Sequence, residues 1–167
     1  GETRSVLVES ARIARGEIVP LSELDLDELD AVILPGGFGA AKNLCNFAFA
    51  AEKCEVNPEV AAVLRRVHQA GKPLGFVCVT PGLGMWLVTI AARLFGAEKL
   101  EFTVGNDPEA IQALETGGGQ HVNCTVHNVV VDERLKISTT PAYMLATRIT
   151  EAEAGINKLV QAVLEMA

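Results

Sequence analysis

Two stretches decide the fold: Ala31-Val32-Ile33-Leu34-Pro35-Gly36-Gly37-Phe38-Gly39 and Pro73-Leu74-Gly75-Phe76-Val77-Cys78-Val79-Thr80-Pro81. Each is a short apolar run with no polar alternation, closed by proline or glycine. A strand buried on both faces reads this way, because neither face meets water. Between them lies a clear amphipathic helix. Asn57 is its expected N-cap, Pro58 its first residue and Gly71 its stop, while Val60, Val63, Leu64 and Val67 recur at i, i+3, i+4, i+7. A buried strand, a helix and a second buried strand form the unit of a parallel sheet. The expected class is therefore α/β, layered around a mostly parallel sheet.

Working outward, the same reading predicts a helix over Thr3–Arg15 stopped by Gly16, and an extended piece over Glu17–Leu21. An acidic surface loop carries Asp25, Asp27, Glu28 and Asp30, and the Ala-rich stretch Phe38–Val56 reads as a loop with a helical turn. Leu83–Phe95 reads as a buried helix, Leu100–Val104 as a third strand, and Asp107-Pro108 as the opening of a short helix ending at Gly117. His121–Val131 and Lys136–Thr139 are predicted strands flanking the turn Asp132-Glu133-Arg134. Pro141–Met166 is predicted as one long helix with Gly155 a weak point inside it.

The 167 residues fit a single domain spanning 1–167, and a hydrophobic share of 49% is ample for one core. With 14 basic and 21 acidic residues the net charge is −7, and no basic run interrupts it. That sign argues against nucleic acid and against an anionic membrane as partners. The longest apolar stretch, Leu83–Phe95, is too short to cross a bilayer and contains Arg93. The four cysteines show no C-x-x-C spacing, so a reducing compartment is expected, cytoplasmic or, for a eukaryotic source, mitochondrial. The chain opens on Gly1 with a helix already under way, the pattern of a fragment.

In an open α/β sheet, ligands gather where the strands end at their carboxyl termini. Gly36 and Gly37 stand at one such end. Successive glycines allow a sharp turn and bare N–H groups suited to an oxyanion or phosphate; a tight turn that binds nothing is the alternative. A dinucleotide site is disfavoured, since Lys42 occupies the third glycine position. Cys78 stands at the other strand end, before Thr80-Pro81. There a thiol projects above the sheet, a following helix N-terminus favours its thiolate, and the N–H of Val79 can face a developing oxyanion. A buried core cysteine is the alternative reading. Cys45, Cys54 and Cys124 lack that placement and read as structural. His121, Cys124 and His127 have suggestive spacing, but on a strand Cys124 points away from both histidines, so a surface strand is expected and no metal.

Three motifs then combine: Asp30–Leu44 (DAVILPGGFGAAKNL), His68–Pro81 (HQAGKPLGFVCVTP) and Thr139–Ala146 (TTPAYMLA). Together they resemble the ElbB family, also called sigma cross-reacting or enhancing-lycopene-biosynthesis proteins, within the ThiJ/PfpI group of class I glutamine amidotransferase-like folds. The resemblance runs from Glu2 to the C-terminus. It implies a flavodoxin-like three-layer sandwich, a homodimer, no cofactor, and Cys78 as nucleophile with Gly36, Gly37 and Val79 around its oxyanion. Thr80, Pro81, Thr140 and Pro141 become expected pocket-lining residues.

The implied activity is that of a glyoxalase III-type lyase turning a small aldehyde, glyoxal, into glycolate. A non-catalytic redox-responsive or isoprenoid-pathway-associated scaffold is the competing reading. The family pattern also implies about 50 further residues before Glu2, another strand–helix–strand at typical element lengths, carrying a glutamate that hydrogen-bonds the cysteine. Two neighbouring activities are disfavoured. No H-x-E pair follows Cys78, as a glutamine amidotransferase needs, and Val79 stands where PfpI-type proteases carry histidine.

Overall fold

The computed structural model describes residues 3–50, 53–77 and 86–167. In chain order it contains α1 (Val6–Ala14), β1 (Val32–Leu34), α2 (Phe38–Asn43), α3 (Phe47–Ala50), α4 (Pro58–Gln69) and β2 (Leu74–Val77). There follow α5 (Trp86–Phe95), β3 (Glu101–Phe102), α6 (Pro108–Glu115), β4 (Gln120–His121), β5 (Val130–Asp132), β6 (Ile137–Thr140) and α7 (Ile149–Met166).

The main sheet has the order β1-β2-β6-β5. β1, β2 and β6 run parallel, and β5 returns antiparallel to β6. The two apolar runs are thus neighbours in one sheet, but only β2 is buried throughout. β1 stands at the sheet edge with Leu34 buried and Val32 and Ile33 half-buried, so the expectation of a strand buried on both faces holds for β2 and not for β1. Along β2 the side chains alternate between two cores. Leu74 and Phe76 join Leu64, Val67, Ile90, Phe95 and Ile137 on one side, and Val77 joins Leu159 and Val163 of α7 on the other. Helices therefore cover both faces, giving three layers. The close approach of α7 explains Gly75: a Cβ there would stand 2.9 Å from Leu159 Cδ2 and 3.0 Å from Val163 Cγ2.

α4 forms as its sequence dictates. Asn57 Oδ1 accepts the Glu59 N–H at 2.9 Å, Pro58 sits in the first turn, and Gly71 leaves the helix with φ +72°. The acidic loop is tied down by Lys72, whose Nζ donates to the carbonyls of Leu26 and Leu29. α1 has Ser5 at its N-cap but buries no residue, and Ile13 is 85% exposed.

Several expectations need correction. The extended piece expected over Glu17–Leu21 stops one residue short, because a 3-10 turn takes in Leu21–Glu23. The stretch Phe38–Val56 holds two short helices, α2 and α3, rather than a loop with one turn. The strand expected over Leu100–Val104 is two residues long and pairs with β4 in a separate two-stranded parallel sheet. Its other edge is satisfied by side chains: Glu101 N–H donates to Asp132 Oδ2 and Thr103 N–H to Thr139 Oγ1. With those donors engaged, no strand ladder is needed there.

The strand expected over His121–Val131 is really β4 and β5 with a loop between, held by Thr140 Oγ1 donating to the Asn128 carbonyl and Lys158 Nζ donating to Asn128 Oδ1. The C-terminal helix does not begin at Pro141. A 3-10 turn at Ala142–Met144 comes first, and α7 starts at Ile149 because the Glu151 carboxylate accepts from Thr147 N–H, Thr147 Oγ1 and Arg148 N–H. Gly155 is no weak point. It is buried, and a Cβ there would lie 2.4 Å from the Val126 carbonyl oxygen.

Candidate functional site

Parallel pairing brings three strand ends to one edge of the sheet. Leu34 is in register with Phe76, and Phe76 with Thr139. One step further, Val77 is in register with Thr140. The turn Pro35-Gly36-Gly37 therefore leaves β1 beside the end of β2 and within the same edge as Thr140-Pro141 leaving β6. Sequence-predicted Gly36, Gly37, Thr140 and Pro141 are brought together in this sense. Cys78, Val79, Thr80 and Pro81 lie outside the described residues, immediately after Val77.

Glycine at position 37 has a backbone reason. Its φ of +131° and ψ of 151° are closed to residues with a Cβ, and its carbonyl accepts the Ala40 N–H at 3.0 Å as the chain enters α2. Among the described residues nothing stands within 4 Å of where its Cβ would be, which leaves space beside the turn. A cavity of about 610 Å³ begins there, floored by Ile33, Leu34 and the glycine turn and walled by Val6, Ser10 and Ile13 of α1.

The β6 end is more constrained than its sequence suggests. Thr140 is buried and its hydroxyl is spent on the Asn128 carbonyl at 3.0 Å, which holds the 122–129 loop. Ala142 is fully buried with φ +42°, a left-handed conformation that costs a non-glycine residue roughly 1–2 kcal/mol. Strain of this kind persists only where surrounding packing imposes it, and it clusters at functional sites. Sequence reasoning missed both Ala142 and the buried Thr139, whose oxygen accepts the Thr103 N–H. No residue type betrays either role; only the quoted Thr139–Ala146 motif marked the segment.

The remaining candidates fall elsewhere. His121 sits on β4 while Cys124 and His127 lie in the following loop, so the expected strand geometry for the trio does not exist. Burial holds the His121 imidazole below its ordinary pKa, against the opposing pull of Glu115 and the Gly105 backbone, and its buried Nε2 has no hydrogen-bond partner among the described residues. Burial likewise raises Cys124. Among the described residues no group of three or more His, Cys, Asp or Glu side chains is placed to hold a metal ion. Among them also, no helix is long and apolar enough to cross a membrane.

No protein-family model matches the chain. Individual proteins do. A crystal structure of an isoprenoid biosynthesis protein with an amidotransferase-like domain, from Ehrlichia chaffeensis, superposes with a TM-score of 0.86 at 30% identity, covering 99% of this chain and 72% of that one. The chain belongs to the class I glutamine amidotransferase-like proteins. Two mammalian members of this amidotransferase-like group agree. The human glutamine amidotransferase-like class 1 domain-containing protein 3, mitochondrial, is 44% identical over 169 residues, and the rat ES1 protein homolog, mitochondrial, is 42% identical over 168. Each match takes in 99% of this chain and 62% of the relative, so the chain spans less than two thirds of their length. A Francisella tularensis protein, the 24 kDa Rapid Encystment Protein, shares the amidotransferase-like fold alone, with a TM-score of 0.56 at 15% identity.

Proposed function

We propose that this amidotransferase-like chain is an ElbB-type, cofactor-independent glyoxalase that converts glyoxal to glycolate through the Cys78 thiolate. One observation carries the reading: the carboxyl ends of β1, β2 and β6 meet at a single edge, beside an open glycine turn, and β2 ends at the residue before Cys78.

The thiolate attacks one aldehyde carbon of glyoxal and forms a hemithioacetal. N–H groups at Gly36, Gly37 and Val79 stabilise the developing oxyanion. The hemithioacetal carbon then gives up its proton while the neighbouring carbonyl carbon gains one, so the first is oxidised to the thioester level and the second reduced to an alcohol. Water hydrolyses the thioester, releasing glycolate and the thiol. The sum is glyoxal plus one water. Thr80, Pro81, Thr140 and Pro141 shape the pocket; because the Thr140 hydroxyl is already engaged, its part is shape and not proton transfer. The proton carrier in this reading is the glutamate that precedes Glu2 in the family pattern.

The partners proposed are the small aldehyde and a second copy of the protein. The names of the mammalian relatives support a mitochondrial location for a eukaryotic source, and a cytoplasmic one applies otherwise. The test is glycolate formation from glyoxal by the natural gene product, followed by NMR. Turnover that vanishes in Cys78→Ser supports the proposal. Turnover that survives the substitution removes Cys78 as nucleophile. No turnover, with ready oxidation of Cys78 by mild peroxide, favours the scaffold reading instead.

A further inference from the structure

Two cysteines that look merely structural in sequence are placed against each other. The chain leaving α2 and the chain entering α4 run antiparallel: Cys45 bridges Val56, Asn46 N–H donates to the Glu55 carbonyl at 3.1 Å, and Asn57 N–H donates to the Leu44 carbonyl at 2.9 Å. Extended chain alternates its side chains, so Cys54 and Val56 share the face that Cys45 occupies. Both cysteines are 4% exposed. Both side chains belong to the same buried cluster, close enough that each thiol feels the other, and the Cys45 S–H reaches the Ala41 carbonyl at 3.8 Å.

We propose that Cys45 and Cys54 are a built-in dithiol that closes to an intramolecular disulfide. A disulfide needs the two sulfurs at about 2 Å, and both side chains already face one core cluster across the paired chain. Cys54 is the sulfur that meets the oxidant, because it lines a surface cavity of about 400 Å³ together with Arg65 and Arg93, whereas Cys45 does not line it. A hydroperoxide is small enough to enter. Cys54 sulfur attacks the peroxide and becomes a sulfenic acid, with loss of water or alcohol. Cys45 sulfur then displaces hydroxide from it; the two thiol protons leave with the oxygen atoms, and two electrons pass to the peroxide. The neighbouring Cys45 thiol and burial hold the Cys54 thiol protonated, so this oxidation is slower than that of an exposed thiol. Closure pins the end of α2, the helix that starts at the Gly37 turn, to the entry of α4.

The experiment treats the full folded chain with hydrogen peroxide, blocks free thiols in denaturant, and maps peptides by mass. A Cys45–Cys54 linked peptide, lighter by two hydrogens and restored by dithiothreitol, supports the proposal. Cys45→Ser should leave Cys54 as sulfenic or sulfinic acid, and Cys54→Ser should leave Cys45 reduced. The wild-type map decides the question even if a variant misfolds. Recovery of both cysteines as blocked thiols, oxidation of Cys54 beyond sulfenic acid without the link, or linkage to Cys78 or Cys124 instead would overturn it.

Discussion

The backbone N–H of Thr103 donates to the Oγ1 of Thr139 at 2.9 Å, with both residues fully buried. This bond joins the segment after β3 to the strand that runs into the candidate site. Removing the acceptor while keeping the shape should be costly, because a buried N–H is left without a partner. Thr139→Val should destabilise by about 1–3 kcal/mol, and Thr139→Ser, which keeps the oxygen, by much less. Urea unfolding of the two variants checks this. Equal stability of the valine variant and the parent would show that the bond carries no weight.

Gly155 should resist alanine, although alanine favours helix by about 1 kcal/mol. The Val126 carbonyl at 2.4 Å from the added methyl is backbone and cannot rotate away. A net loss of roughly 1–3 kcal/mol is expected, with α7 lifting from β6 and the 122–129 loop. Gly16→Ala, where no described residue stands within 4 Å, is the control and should change stability little. A Gly155→Ala protein as stable as the parent would refute the close approach.

Glu151 should make the start of α7 acid-sensitive. Hydrogen bonds from Thr147 N–H, the Thr147 hydroxyl and Arg148 N–H hold its carboxyl below the ordinary value of 4.5. A depressed folded pKa means that the stabilisation is fully present above pH 4.5 and disappears as pH falls through the folded value. NMR titration of the Glu151 carboxyl should show the lowered pKa, and Glu151→Gln should flatten the acid limb of the stability curve. An ordinary titration would mean that the cap does not form in solution.

His121 should show the same sign for a different reason. Burial disfavours its charged form and lowers it from 6.5, so the unfolded chain binds the proton more readily. Stability from this group is complete above pH 6.5 and declines as pH drops toward the folded pKa. The imidazole pKa, followed by its ring-proton shifts, checks it; a value at or above 6.5 would contradict the buried setting.

The strongest parts of the fold were legible because one local rule sufficed. α4 carries its own N-cap, first-turn proline, apolar face and stop, and β2 is apolar throughout because both its faces are covered. The glycine turn and the end of β2 at Val77 could be read for the same reason: chain order and punctuation place them. Where the reading failed, side chains from distant segments had taken over backbone hydrogen bonds. Leu100–Val104 lost its long strand to Asp132 and Thr139, and the start of α7 moved to Ile149 under the Glu151 cap.

By itself, then, the sequence determined the alternation of helices and buried strands, the acidic character and the candidate residues at two strand ends. Those follow from propensity and periodicity within a dozen residues. Tertiary structure alone decided the strand order β1-β2-β6-β5, the convergence of Gly37 with Thr140, the left-handed Ala142, the tight seat of Gly155 and the meeting of Cys45 with Cys54. Each is a contact between segments far apart in the chain or a conformation imposed by packing. Local composition carries no record of which distant backbone will arrive.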